Sequence, residues 1–287
     1  MRETRKGVDG QLLTASQVQK TTHCLIIGDA LKVLPDKKYF ADESVNLIVT
    51  SPPYGLGKKY GNNFLDRFDL KSWIEMLEIV GKQVWRILKA NGSFFLNVSP
   101  IPHPKNKEIV PLDSYAYFAL KKCNFYLRNK IIWHFNNMQN CVKRLSGRWE
   151  AVLWFVKDIN DYVFNLDAVR VPYLTNDKRI KGVGRNPTDV WYFDRINNVT
   201  KKKLQINHPC VYPDAMIERI VKMSSYPGDL VMDPFVGSGT TMRVAKILNR
   251  NSIGVEINPE FEKIIRKRLQ MENPWDESSF KVIVYDD

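Results

Sequence analysis

Two segments hold side chains whose types and spacing suit chemistry. In residues 47–57 the β-forming run Leu47, Ile48, Val49, Thr50 stops at Ser51, Pro52, Pro53 and Tyr54. Adjacent prolines fix φ at about −65° and offer no N–H to a sheet, so the strand must end in a stiff corner. Such a corner is either a bare terminator or a rigid platform for a reaction. The second segment reads Asp233, Pro234, Phe235, Val236, Gly237, Ser238, Gly239, Thr240, Thr241. An apolar run leads into it, a helical pattern follows, and Gly237 and Gly239 let a ligand approach the backbone. Glu256 stands nineteen positions beyond Gly237, at the end of the next apolar run. An acid so placed after a glycine turn bonds a ribose diol.

The turn narrows the ligand further. Met242 sits where a dinucleotide fingerprint needs its third glycine, and no Gly-Lys-Ser/Thr follows, so a phosphate cradle is absent. A carboxylate at Asp233 repels phosphate and suits an ammonium group. An adenosine joined to an amino acid without phosphate is S-adenosylmethionine, which is the expected cofactor.

Five short apolar runs, 23–29, 45–53, 92–100, 229–235 and 252–258, read as buried parallel strands that position these segments. Between them, 70–92 carries a helical stripe that includes Trp73, Leu77, Val84 and Leu88 and is expected to stop at Asn91-Gly92. A second helix is expected over 239–251. The alternation predicts an α/β fold, a mostly parallel twisted sheet with helices on both faces. Runs 128–135 and 150–156 are joined too tightly for a crossover helix and predict an antiparallel hairpin at one sheet edge. Residues 157–207 differ in texture: a small irregular insert with Lys178, Arg179, Lys181 and Arg185, then the aromatic cluster 190–193, suited to packing or to base stacking. The chain thus divides into a catalytic half over 22–156, the insert over 157–207 and a cofactor-binding half over 208–270. In the open sheet, ligands lie beyond the strand ends at the point of order reversal, so run 45–53 should lie beside run 229–233.

Of 287 residues, 44% are hydrophobic, and 43 Lys and Arg against 31 Asp and Glu leave a net charge of +12. That excess favours a polyanion, nucleic acid first. The four cysteines and four histidines show no metal-ligand spacing, so no metal and no disulfide framework is expected. The polar N-terminus is no signal peptide and no apolar stretch reaches membrane-spanning length, so a cytoplasmic protein without membrane contact is expected.

Together the two segments resemble those of the DNA amino-methyltransferases. The proline corner precedes the glycine turn by about 180 residues, with the insert between, which resembles the β group of that family. Residues 28–31 (Asp29, Ala30), the stretch 208–220 and the stretch 186–191 are similar to further family segments. The resemblance implies a Rossmann-like methyltransferase fold with a target-recognition insert, acting on double-stranded DNA in a bacterial or archaeal cell. It implies a homodimer and a separate cognate restriction endonuclease as expected partners. Asp29, Ala30, Asp233, Pro234, Phe235, Gly237, Ser238, Gly239, Thr240, Thr241, Glu256 and Ile257 become the expected cofactor contacts. Asp29 taken alone would equally cap the following helix.

The chemistry then explains the corner. An exocyclic base amine is a weak nucleophile, and methylation requires acceptors that draw on its N–H bonds. Ser51 Oγ and the Pro52 carbonyl are the expected pair, held still by Pro52 and Pro53. Tyr54 is expected to stack a base turned out of the duplex. Asn97, at the tip of its strand, is expected to orient that base or else to stabilise a turn. Lys58 and Lys59, in a loop over 55–63 expected to close on the base, join Lys143, Arg144 and the insert's four cations as expected DNA contacts. A hydroxyl and a carboxylate can both accept from an amine, so the choice of base comes from the resemblance. Family members with serine at the head of the corner more often modify cytosine N4, which is the expectation here, with adenine N6 as the alternative. A non-catalytic DNA-binding subunit and an RNA methyltransferase remain as rivals.

Overall fold

The computed structural model describes residues 5–6, 12–13, 20–60, 64–67, 69–136, 141–173, 184–196, 211–270 and 278–286. The five apolar runs become five adjacent parallel strands, in the spatial order Leu88–Val98, Val45–Thr50, Leu230–Asp233, Asn251–Glu256, Thr22–Ile27. Order reverses between Val45–Thr50 and Leu230–Asp233, so the corner and the glycine turn leave the sheet side by side at the same edge. This is the adjacency the sequence predicts.

Trp149–Val156 pairs antiparallel with both Leu88–Val98 and Tyr126–His134, which gives the expected hairpin. The hairpin is not the outermost element. Val190–Tyr192, from the insert, adds a short parallel strand beyond it. There Trp191 is buried and its indole N–H donates to the Thr188 carbonyl at 2.8 Å, while Arg219 lies over the rings of Trp191 and Phe193. Of the two readings of the aromatic cluster, packing is what these two rings do.

Helices cover both faces. Phe94, Leu96 and Val98 point to the layer holding Leu70–Ile87 and Leu112–Lys122, and Phe95 points to the layer holding Asp214–Ser224 and Thr240–Ile247. That alternation is the strand's period of two.

Several expectations need correction. The first long helix ends at Ile87, and Asn91 and Gly92 lie inside the next strand rather than at a helix cap. Gly92 serves close packing, because a Cβ there would meet the Leu88 side chain at 2.7 Å and the Asn46 carbonyl at 2.9 Å. The stretch 55–63 is not wholly a loop: Leu56–Tyr60 pairs antiparallel with Phe64–Arg67, and residues 61–63 fall outside the described residues. Ser279–Val284, which lies beyond the expected domain, forms the opposite edge strand against Thr22–Ile27. Helix Leu112–Lys122 was likewise not anticipated. Among the described residues no helix is long and apolar enough to cross a membrane.

Candidate active site

A side-chain hydrogen bond ties the corner to the glycine turn. Thr50, the last residue of its strand, donates its hydroxyl to Asp233 Oδ1 at 2.6 Å. Asp233 also accepts from Phe235 N on the same oxygen and from the hydroxyls of Thr241 and Tyr212 on Oδ2, at 2.7 and 3.1 Å. Four donors fill the positions where a carboxylate accepts. The residue is 1% exposed, and burial pushes its pKa up against the pull of those hydrogen bonds. In this arrangement the carboxylate is the knot between two strands, held by four donors.

The glycine turn takes left-handed backbone at Gly237 and Gly239, with φ of 51° and 80°. Glu256 fastens it, accepting from Gly237 N on Oε2 and from Asn258 N on Oε1, both at 2.9 Å. Each oxygen keeps room for a further donor, and burial raises the Glu256 pKa to about 7. From behind, Arg268 donates to the Ser238 carbonyl, to the hydroxyls of Ser238 and Thr240, and to Asp214. Pro234 and Phe235 turn the chain between the strand and the glycines. Asp29 caps its short helix by accepting from Leu31 N at 2.9 Å, Ala30 is buried beside it, and Ile257 is 37% exposed next to Glu256.

On the other side, the indole N–H of Trp73 donates to the Pro53 carbonyl at 2.8 Å and pins the corner. No hydrogen bond to the Pro52 carbonyl forms among the described residues. Ser51 is half-buried, and its Oγ lies 2.8 Å from the Tyr54 hydroxyl. The Tyr54 ring is packed in the core at 8% exposure. Its hydroxyl bonds the Asn97 carbonyl at 2.9 Å and the Asn97 side-chain nitrogen at 3.0 Å. Asn97 Nδ2 also donates to Glu150 Oε2 at 2.7 Å, and Asn97 Oδ1 is buried with no partner among the described residues.

The structure brings Ser51, Tyr54 and Asn97 together and adds residues the sequence did not single out: Thr50, Tyr212, Arg268, Glu150 and Arg195. Arg195, from the insert, pairs with Glu150 Oε1 and lies over the Phe135 ring at 4.1 Å. One signal for Glu150 was available, since it is a lone acid within the apolar strand Trp149–Val156. Lys143 and Arg144 are exposed at the hairpin tip, and Arg185 is exposed on the insert. Lys58 and Lys59 are described as strand backbone, while Lys178, Arg179 and Lys181 lie outside the described residues.

Comparison with known proteins agrees with this geometry. Residues 45–267 match the family described as DNA methylase. The chain is 37% identical over 256 residues to the Type II methyltransferase M.BglII of Bacillus subtilis, covering 85% of this chain and 68% of that protein. It is 33% identical over 259 residues to the DNA adenine methyltransferase YhdJ of Escherichia coli (strain K12), covering 86% and 82% respectively. The structure of TTHA0409 from Thermus thermophilus, complexed with S-adenosyl-L-methionine, matches with a TM-score of 0.65 at 26% identity, over 92% of this chain and 99% of that one.

Proposed function

The chain belongs to the DNA methylase family that modifies exocyclic amines, and on that premise we propose that it methylates the N4 amine of cytosine at a specific site in double-stranded DNA. The observation that carries this reading is the Thr50–Asp233 bond, which sets Ser51 one residue away from the cofactor turn.

The residues present suit S-adenosylmethionine. Glu256 has an acceptor position on each oxygen for a ribose diol, Asp29, Ala30 and Ile257 border the space beyond the strand ends, and the glycine turn gives close backbone access. Asp233 supports that pocket by holding Thr50, Thr241, Tyr212 and Phe235 in place. When bound, the cofactor supplies an electrophilic methyl on a sulfonium. This chain's part is to hold and aim the amine. Ser51 Oγ and the Pro52 carbonyl accept its N–H bonds, and preorganisation supplies the rate where a flexible acceptor would not. The unpartnered Asn97 Oδ1 supports Asn97 as a residue that orients the base. Lys143, Arg144 and Arg185 take phosphates, with Lys58, Lys59, Lys178, Arg179 and Lys181 proposed beside them on the sequence alone. The likeness to a Type II methyltransferase supports a restriction-modification setting, with an endonuclease as a separate protein.

Serine at the head of the corner supports cytosine. Adenine N6 is the second reading, favoured by the likeness to a protein named as an adenine methyltransferase. Mass spectrometry of nucleosides from DNA treated with the protein and cofactor decides between them. N4-methylcytosine is expected, and N6-methyladenine without it would overturn the choice. Calorimetric titration with S-adenosylmethionine separates both from a DNA-binding subunit without catalysis, which need not bind it.

A further inference from the structure

We propose that Val142 and Leu145, at the tip joining Tyr126–His134 to Trp149–Val156, form an apolar wedge that enters the base stack of the DNA and fills the place left by the target base. This rests on the proposed reading that duplex DNA is the substrate, whose target base must leave the stack to reach Ser51.

The register of the sheet sets the tip beyond the reaction site. Thr50 lies level with Leu96, and Leu96 with Leu153. From Leu153 the strand runs outward to Trp149, roughly 13 Å at about 3.3 Å per residue. The ladder continues past it, with Phe135 N donating to the Arg148 carbonyl at 2.9 Å. Cys141 N then donates to Ser146 Oγ at 3.0 Å and closes the base of a short loop over 142–145. Across the sheet, two strand spacings of about 4.8 Å separate Val45–Thr50 from Trp149–Val156. The tip therefore stands beside the corner and ahead of it, on the edge that a duplex must approach to deliver a base.

The side chains of the tip suit a base stack. Val142 is 97% exposed and Leu145 92%, the highest values of any large hydrophobic side chain among the described residues. Scattered apolar residues on a surface are ordinary, but these two flank Lys143 and Arg144, which are exposed as well. The cations take phosphates, and the apolar side chains between them meet the apolar part of a duplex, the faces of its bases. Leucine is among the side chains that proteins wedge between base steps while neighbouring cations hold the backbone. A second copy of this chain is a poorer occupant, since each copy carries a net charge of +12. Turning a base out costs stacking and pairing, and the gap it leaves invites it back. A side chain in that gap restores contact with the flanking bases and prolongs the stay of the amine at Ser51.

The test uses the full chain with S-adenosylmethionine. The methylated position is first located by sequencing long duplex DNA that the wild-type chain has modified. Short duplexes carrying it are then made in two forms, one fully paired and one with the target base opposite an abasic position, where it is already unpaired. V142A/L145A should lower kcat/KM about tenfold on the paired duplex. The melting temperature of the protein should not change, since both side chains are exposed. On the duplex with the abasic position the same variant should come within about twofold of the wild type, because the pairing the wedge opposes is gone. L145M keeps an apolar side chain of similar volume and should stay within about twofold of the wild type on both. V142A/L145A at the wild-type rate on paired DNA overturns the proposal. So does an equal loss on both duplexes, which would make the tip a plain contact rather than a wedge. If the wild-type chain transfers no methyl group to DNA at all, the proposed function itself fails, and the wedge with it.

Discussion

The cofactor end and the target end of the site are built in opposite ways. At the cofactor end, Asp233 through Thr241 and Glu256 lie within one strand–turn–helix–strand stretch, and Glu256 grips its neighbours through backbone N–H groups. At the target end, Ser51 and Tyr54 of the corner meet Asn97, Glu150 and Arg195 from three further segments, largely side chain to side chain. A backbone-held turn tolerates side-chain change except at its knots, whereas a side-chain network fails at any member. Beside the backbone pairing of their strands, the two ends are fastened side chain to side chain by Thr50 and Asp233.

Breaking that fastening should have the largest effect. Asp233→Ala leaves three buried hydroxyls and the Phe235 N–H without their acceptor. Removing a buried carboxylate recovers some desolvation, but orphaned donors cost about 1–3 kcal/mol each, and a net loss of about 3 kcal/mol is expected. A melting temperature lower by roughly 6–12 °C and weakened S-adenosylmethionine binding would show it. Wild-type stability and affinity would mean the ends are not joined through this residue. Ser51→Ala comes next and should act on one end only. It should lower kcat about 10²–10³-fold, the size seen when one preorganised hydrogen-bond partner is lost, while calorimetry finds cofactor affinity unchanged.

The same contrast explains what was legible in the sequence. The apolar runs, the glycine spacing, the proline pair and the distance to Glu256 are local signals, and they gave the parallel sheet, its point of reversal and the glycine turn. Thr50, Tyr212 and Arg268 matter because of what they touch across the sheet, and touching has no periodicity to read. Glu150 was visible as a misfit in an apolar strand, yet its partners Asn97 and Arg195 are 53 and 45 positions away. The misplaced helix end at Asn91-Gly92 arose the same way, from a glycine kept for a neighbouring strand rather than for a cap. The core that closes around Tyr54 was not legible either, because nothing near it in sequence shows it.

Glu256 sharpens the comparison through pH. Its pKa, raised from 4.5 to about 7 by burial, means that the folded protein holds a proton which the unfolded chain releases earlier. Its contribution to stability is therefore present below about pH 4.5 and lost as pH rises through about 7. Diol binding needs the ionised acceptor, so cofactor affinity should move the other way and tighten about tenfold between pH 6 and 8. Glu256→Gln should bind more weakly and flatten this profile, which separates the protein's titration from that of the cofactor's own amine. A wild-type profile already flat over that range would remove Glu256 from cofactor binding.

The smallest effect is expected at the hairpin tip, where the target end meets solvent. Lys143 and Arg144 are exposed on the segment joining Tyr126–His134 to Trp149–Val156, a few residues before Glu150. If they contact phosphates, replacing both with alanine should reduce the slope of log affinity against log salt by about 2. Affinity for DNA should fall a few-fold at moderate salt and equally for all sequences, while kcat at saturating DNA stays as it was, because neither side chain touches the Ser51 network. A drop in kcat instead would mean that the tip positions Glu150, and that the side-chain network extends further toward the DNA than the Arg195 pair. An unchanged salt slope would place the phosphate contacts elsewhere, with the insert's cations the next to replace.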